Sequence, residues 1–216
     1  MDKIISKQPT TQSIYETIKS RIVEMDYLPG FSLIEKDLSE EFGVSRTPIR
    51  EALINLKADG LISIIPRQGT FVSQIDLHEV RNAFEVKKNL EGLAAELASQ
   101  RATNDEIDEL FEIIERFNKY DIKNDYKSCI KDDQRFHQIV RNASRNPILS
   151  NMLESLNTKT ARFLQNISYV IDDYNWFNVS LKEMANAIKN RDKEASRIEA
   201  ELHAKKILEE LSKKFF

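Results

Sequence analysis

One stretch constrains the fold of this 216-residue chain more than any other: DLSEEFGVSRTPIREALINLKADGLISIIPRQGTFV, residues 37–72. Leu38 and Phe42 stand four apart and share a helix face. Gly43 ends that helix, because the left-handed conformation needed there costs glycine nothing. Ser45 is placed to cap the next helix, and Pro48 falls in its first turn, where a missing N–H is tolerated. Ile49, Ala52, Leu53 and Leu56 then recur at i, i+3, i+4 and i+7, a single buried stripe. At about 100° per residue, Thr47 and Arg50 point away from it, with Arg46 one turn before Arg50. This is a helix-turn-helix whose second helix offers its polar start outward, the geometry that enters a DNA major groove. A β-hairpin follows: Leu61–Ile65 and Thr70–Val72 are β-prone runs around the turn Pro66-Arg67-Gln68-Gly69. Its tip, with a cation, an amide and a flexible glycine, suits a phosphate backbone or a minor groove. A small helical domain with a surface hairpin would reproduce part of the pattern.

The chain before and after this stretch reads as helix. Ile14, Ile18, Ile22 and Met25 form a stripe over Thr11–Asp26. Tyr27-Leu28-Pro29-Gly30 signals a turn, Ser32-Leu33-Ile34 a short strand, and Lys36 the opening of the next helix. Asp76 can cap a helix from Leu77 to about Arg101, and Thr103-Asn104-Asp105-Glu106 matches a capping box for the next. Further helices are expected over about Asn124–Ala143, Pro147–Val170, Phe177–Lys189 and Lys193–Lys213, with breaks at Asn146-Pro147 and Asp172-Asp173. No Gly/Ser-rich spacer separates the halves. The expected fold is therefore mainly α: a winged helix-turn-helix domain over 1–74 and an all-α antiparallel bundle over 77–216, large enough to hold an internal pocket.

Composition narrows the function classes. A single cysteine, Cys129, excludes an internal disulfide and fits a reducing cytoplasm. No apolar run approaches a membrane span and no charged-then-apolar leader opens the chain, so a cytoplasmic protein with no membrane partner is expected. Residues 1–75 carry nine Lys/Arg against ten Asp/Glu. A nucleic-acid surface on such a unit must come from local placement of cations, with modest non-specific affinity.

Four polar residues fall within or at the edge of apolar stripes in the second half. Tyr126, Cys129, Ile130, Phe136 and Val140 define one buried face, and Asp133 and His137 sit in its middle, four apart. That spacing suits two ligands of one metal, or an Asp orienting a core histidine. His203 lies among Ala200, Ile207 and Leu211 on the last helix. Lys87 lies on the edge of a face formed by Ala83, Val86, Leu90, Ala94 and Leu97, with Glu91 one turn on. It can hold an anion or snorkel to water.

Residues 45–53 (SRTPIREAL), Leu56 and Asp59-Gly60-Leu61, with Leu28-Pro29-Gly30 and Leu38-Ser39 upstream, resemble the winged helix of the GntR family of bacterial transcription regulators. Residues 77–213, with the Asp-x-x-Phe-His motif at Asp133 and His137, resemble the ligand-binding domain of its FadR subfamily, the FCD type. The resemblance implies a homodimer bound to double-stranded operator DNA, with Lys36, Arg46, Thr47, Arg50, Arg67, Gln68 and Gly69 at the DNA. It implies a divalent metal, one of Zn, Ni, Mn or Fe, held by Asp133, His137 and His203. A further family histidine falls at Leu181, which cannot ligate. It also implies a small carboxylate effector near Lys87 and, more weakly, Arg162. The expected function is a DNA-binding regulator, a repressor of a metabolic operon, and no enzyme. The alternatives are a second domain that only dimerises and, remotely, a metal-dependent enzyme.

Overall fold

The computed structural model describes residues 9–165 and 175–215. The chain divides into two compact units, Met1–Ile75 and Asp76–Phe216.

In the first unit, α1 (Thr11–Val23) starts at a reciprocal capping box between Thr10 and Ser13 and buries Ile14, Ile18 and Ile22. Helix α2 (Glu35–Phe42) ends at Gly43, whose φ of 64° is the left-handed value the sequence demanded. Helix α3 (Arg46–Ala58) buries Ile49, Ala52, Leu53 and Leu56, the stripe read from spacing. Ser45 occupies the N-cap position in an extended conformation, yet its side chain makes no capping hydrogen bond. The reason is local. A cap bonds the N–H of the second or third helical residue, and the third here is Pro48, so one of those two donors is missing. Strands β1 (Ile62–Ile65) and β2 (Gly69–Val72) pair antiparallel, Ile62 opposite Val72 and Ile65 opposite Gly69. The short strand expected at Ser32–Ile34 is a single bridge from Ser32 to Phe71. One core unites the three helices and the hairpin, with Leu33, Leu38, Leu61 and Val72 closing on the α1 and α3 stripes.

The second unit is helical throughout its described residues: α4 (Leu77–Arg101), α5 (Asn104–Phe117), α6 (Ile122–Ala143), α7 (Pro147–Leu164), α8 (Asn175–Lys189) and α9 (Lys193–Phe215). Asp76 caps α4, and Thr103 with Glu106 forms the expected box at α5. Helix α6 begins earlier than the sequence suggested, running across a non-helical Asp125. Residues 165–170 of the expected Pro147–Val170 helix lie beyond the end of α7 or outside the described residues, as does the Asp172-Asp173 break.

Helix α4 packs against α6, α7, α8 and α9. Its buried face differs from expectation. Val80, Ala83, Phe84, Lys87, Glu91, Ala94, Ala95 and Ala98 point inward, while Val86 is 49% exposed. Lys87 is thus central to the face rather than at its edge. Apolar periodicity skipped the true stripe because Lys87 and Glu91 break it. Tight packing helps to select it: a Cβ at Gly92 would lie 2.6 Å from Cγ of Glu201 on α9.

The turn between α2 and α3 generates a prediction. Gly43→Val forces a β-branched residue into the left-handed region, so urea titration should show the variant destabilised by about 1–2 kcal/mol.

Candidate nucleic-acid interface and candidate metal centre

The first unit exposes a polar surface at the start of α3 and at the hairpin tip. Burying Ile49, Ala52, Leu53 and Leu56 turns Arg46, Thr47 and Arg50 to solvent at the start of α3. Arg50 is held: its Nε donates to Glu35 Oε2 at 2.8 Å, from the first turn of α2. Lys36, exposed beside it, lies 3.7 Å from Glu40. At the hairpin tip Arg67, Gln68 and Gly69 are exposed, with Arg67 at φ 65° and Gly69 at φ 132°. A positive φ at Arg67 costs energy for a side-chain-bearing residue, and the tight two-strand register imposes it. The cations are therefore placed locally on a unit that carries no net positive charge.

The second unit brings Asp133, His137 and His203 together from α6 and α9. One ligand atom of each lies within 4.8 Å of the others, and all three are buried. His137 Nε2 is 3.4 Å from Asp133 Oδ1, and His203 Nε2 is 4.0 Å from the same oxygen. Two of these atoms, Asp133 Oδ1 and His203 Nε2, make no hydrogen bond. The tautomer of His203 follows from its neighbour. Ser180 Oγ donates to the Phe177 carbonyl at 2.8 Å and lies 2.7 Å from His203 Nδ1. Its proton is spent on Phe177, so it accepts from His203 Nδ1–H, which leaves a lone pair on Nε2. Two buried acceptors thus face each other, an arrangement that interiors avoid. A cation between them would satisfy both, and a carboxylate with two imidazoles suits Zn²⁺, Ni²⁺, Mn²⁺ or Fe²⁺. The donor set therefore fits a metal.

Around this trio stand further charges. Glu91, 2% exposed on α4, has Oε2 3.6 Å from His137 Nδ1 and Oε1 3.7 Å from Arg141 Nη1. Arg141 is itself buried and reaches Glu154 of α7 at 3.5 Å. Lys87, 6% exposed, donates to Asn157 Oδ1 at 3.1 Å. Burial pushes Lys87 below the usual ammonium range against the pull of Glu91 and Asp133. Burial would lower His137 too, but Asp133 and Glu91 outweigh it and raise the imidazole to about 9. His203 is lowered to about 3, by burial and then by the charge on His137. Asp133 stays below the ordinary carboxylate range: burial would raise it, and His137, His203 and Lys87 prevail. In the cation-free protein, then, an imidazolium at His137 supplies the positive charge that Asp133 and Glu91 require.

Leu181 is fully buried and offers no donor, so the described site is limited to three ligands. Arg162 is buried on α7, where burial lowers its guanidinium and Glu79 opposes the effect. Two members of the cluster were missed from sequence. Arg141 continues the four-residue spacing of Asp133 and His137 along α6, and that regularity was the available signal. Ser180, adjacent to Leu181, gave none.

These shifts predict a stability maximum. His137 titrates above its unfolded value of 6.5, so its contribution is complete below pH 6.5 and lost as pH rises through about 9. His203 titrates below 6.5, so stability falls as pH drops from 6.5 toward about 3. Thermal melts of chelator-treated protein should therefore peak near neutral pH and fall on both the acid and the alkaline side. Adding Zn²⁺ should flatten the alkaline limb, because a ligating His137 carries no ionising proton.

Comparison with known proteins places these features. The model for bacterial regulatory proteins of the gntR family matches residues 10–72, and that for the FCD domain matches residues 82–206. The chain is 30% identical over 155 residues to the HTH-type transcriptional repressor RspR of Escherichia coli K12, covering 72% of this chain and 68% of RspR. It is 32% identical to YdhC of Bacillus subtilis, an uncharacterized HTH-type transcriptional regulator, covering 72% and 70%. The solved structure of E. coli McbR/YncC superposes with a TM-score of 0.82 at 25% identity, covering 95% of this chain and 98% of that one. A GntR regulator from Rhodococcus sp. RHA1, 16% identical, shares the fold with a TM-score of 0.71 over 95% and 99%. The chain belongs to the GntR family of bacterial transcription regulators, a helix-turn-helix DNA-binding domain followed by an FCD domain, and is a regulator rather than an enzyme.

Proposed function

We propose that this regulator acts as a homodimeric repressor of a metabolic operon, reading operator DNA with α3 and the hairpin tip. Arg46 and Arg50 contact guanines or phosphates, Thr47 a phosphate or a thymine methyl, Lys36 a phosphate, and Arg67, Gln68 and Gly69 the adjoining groove. The observation that carries this reading is the outward presentation of Arg46, Thr47 and Arg50 opposite a fully buried stripe. The similarity to RspR, a transcriptional repressor by name, supports the direction of regulation.

Asp133, His137 and His203 would hold a divalent cation, which would supply a Lewis-acidic position for a carboxylate oxygen. The flanking Lys87 adds a point charge, and Arg162 is a further buried cation of the same unit. The site therefore favours a small organic or sugar acid as effector. Binding of such an acid controls operator affinity through a coupling free energy between the two sites. Buried acceptors that lack donors argue against a second domain that merely dimerises.

Two outcomes test the proposal. Arg50→Ala should keep the parent's circular dichroism spectrum and lose about tenfold or more in affinity for a duplex that the parent selects from a randomised pool, consistent with about 1–3 kcal/mol per bidentate base contact. Unchanged affinity would end the assignment of α3. Protein purified in trace-metal buffers should carry close to one Zn²⁺, Ni²⁺, Mn²⁺ or Fe²⁺ per chain by elemental analysis, and Asp133→Ala should carry none.

A further inference from the structure

Glu91 has no part in the donor trio and no hydrogen bond of its own at Oε1, although it is 2% exposed in the centre of the helical unit. An isolated buried carboxylate is costly. What it does is read from the ring it faces. Histidine ligates through Nε2 only when that nitrogen holds a lone pair, which in a neutral ring places the proton on Nδ1. For His203 the Nδ1 proton is received by Ser180. For His137 the corresponding nitrogen is a buried atom without a hydrogen bond, and Glu91 Oε2 lies 3.6 Å from it. An ionised carboxylate only accepts, so it selects the Nδ1–H form. Closure by somewhat under an ångström brings the pair to ordinary hydrogen-bond length. Arg141 Nη1, 3.7 Å from the other oxygen, holds the carboxylate from behind.

We propose that Glu91 is the positioning residue of the metal centre: it fixes His137 in the Nδ1–H tautomer and aims Nε2 at the cation. This inference rests on the reading of Asp133, His137 and His203 as metal ligands. Outer carboxylates of this kind raise ligand basicity and typically change metal affinity by about 10–100-fold. With Leu181 in place of a fourth donor, a three-ligand site depends more heavily on the orientation of each ring it has.

Zn²⁺ is the probe. Its affinity is measured by chelator competition on the full chain, and Ni²⁺ quenching of Trp176, the sole tryptophan, 6.2 Å between ring centroids from His203, gives an independent readout. Long-range ¹H–¹⁵N spectra report the tautomer of each ring, a simple task with three histidines in the chain. The parent should show Zn²⁺-loaded His137 protonated at Nδ1. Glu91→Leu should lose about 10–100-fold in Zn²⁺ affinity, with the His137 Nδ1–H signal lost or shifted. Glu91→Gln, which keeps an acceptor oxygen, should recover part of both and serves if the leucine variant does not fold. A folded Glu91 variant that binds Zn²⁺ within twofold of the parent, with an unchanged His137 signal, overturns the role of Glu91 alone. A parent that binds no Zn²⁺, and is unaffected by Asp133→Ala, overturns the metal reading and this inference with it.

Discussion

The helical unit depends on how it accommodates a buried carboxylate. Asp133 sits on the same face of α6 as Phe136 and Val140, α4 packs against α6, and His203 of α9 comes within 4.0 Å of Asp133. Burying one negative charge requires compensation within a few ångströms. The chain supplies it in a ring: His137 beside Asp133, Glu91 beyond His137, Arg141 beyond Glu91, and Lys87 nearby. Each member is present because the next one needs it. Separations of 3.4–4.0 Å, with several atoms lacking hydrogen bonds, leave a carboxylate and two imidazoles facing one another in an arrangement that a divalent cation would fit.

The DNA-facing unit solves a different problem. Its core is uniformly apolar, so nothing buried needs compensation, and the charges lie outside. Arg50 is tied to Glu35, which limits the freedom of a long side chain before any partner is met. The same carboxylate offsets local positive charge, which suits a regulator that must let go of non-specific sequence.

Much of this was legible in the amino-acid order. The stripe Ile49, Ala52, Leu53, Leu56 and the glycine at 43 specify the helix-turn-helix, because short-range periodicity and one left-handed residue are enough to fix it. Capping residues Asp76 and Thr103 located the starts of two long helices to the residue. The capping bond expected of Ser45 is not made, and Pro48 removes one of the two N–H groups that could have donated it. The inward face of α4 was misjudged as well. Counting apolar residues favoured Val86, whereas the interior selected Lys87 and Glu91.

The sequence by itself determined two units, nine helices and a hairpin among the described residues, and the polar residues that interrupt apolar stripes. Those are local matters, set by spacing of three and four residues, by capping chemistry and by backbone preference. Only the tertiary structure decided what the interrupting residues meet. His203 is 66 positions from His137 in the chain yet 5.2 Å away between ring centroids, and Ser180 fixes its tautomer from a third helix. Contacts between distant segments follow from how helix faces pack, and packing answers to the summed shape of α4, α6, α8 and α9 rather than to the pattern of any one.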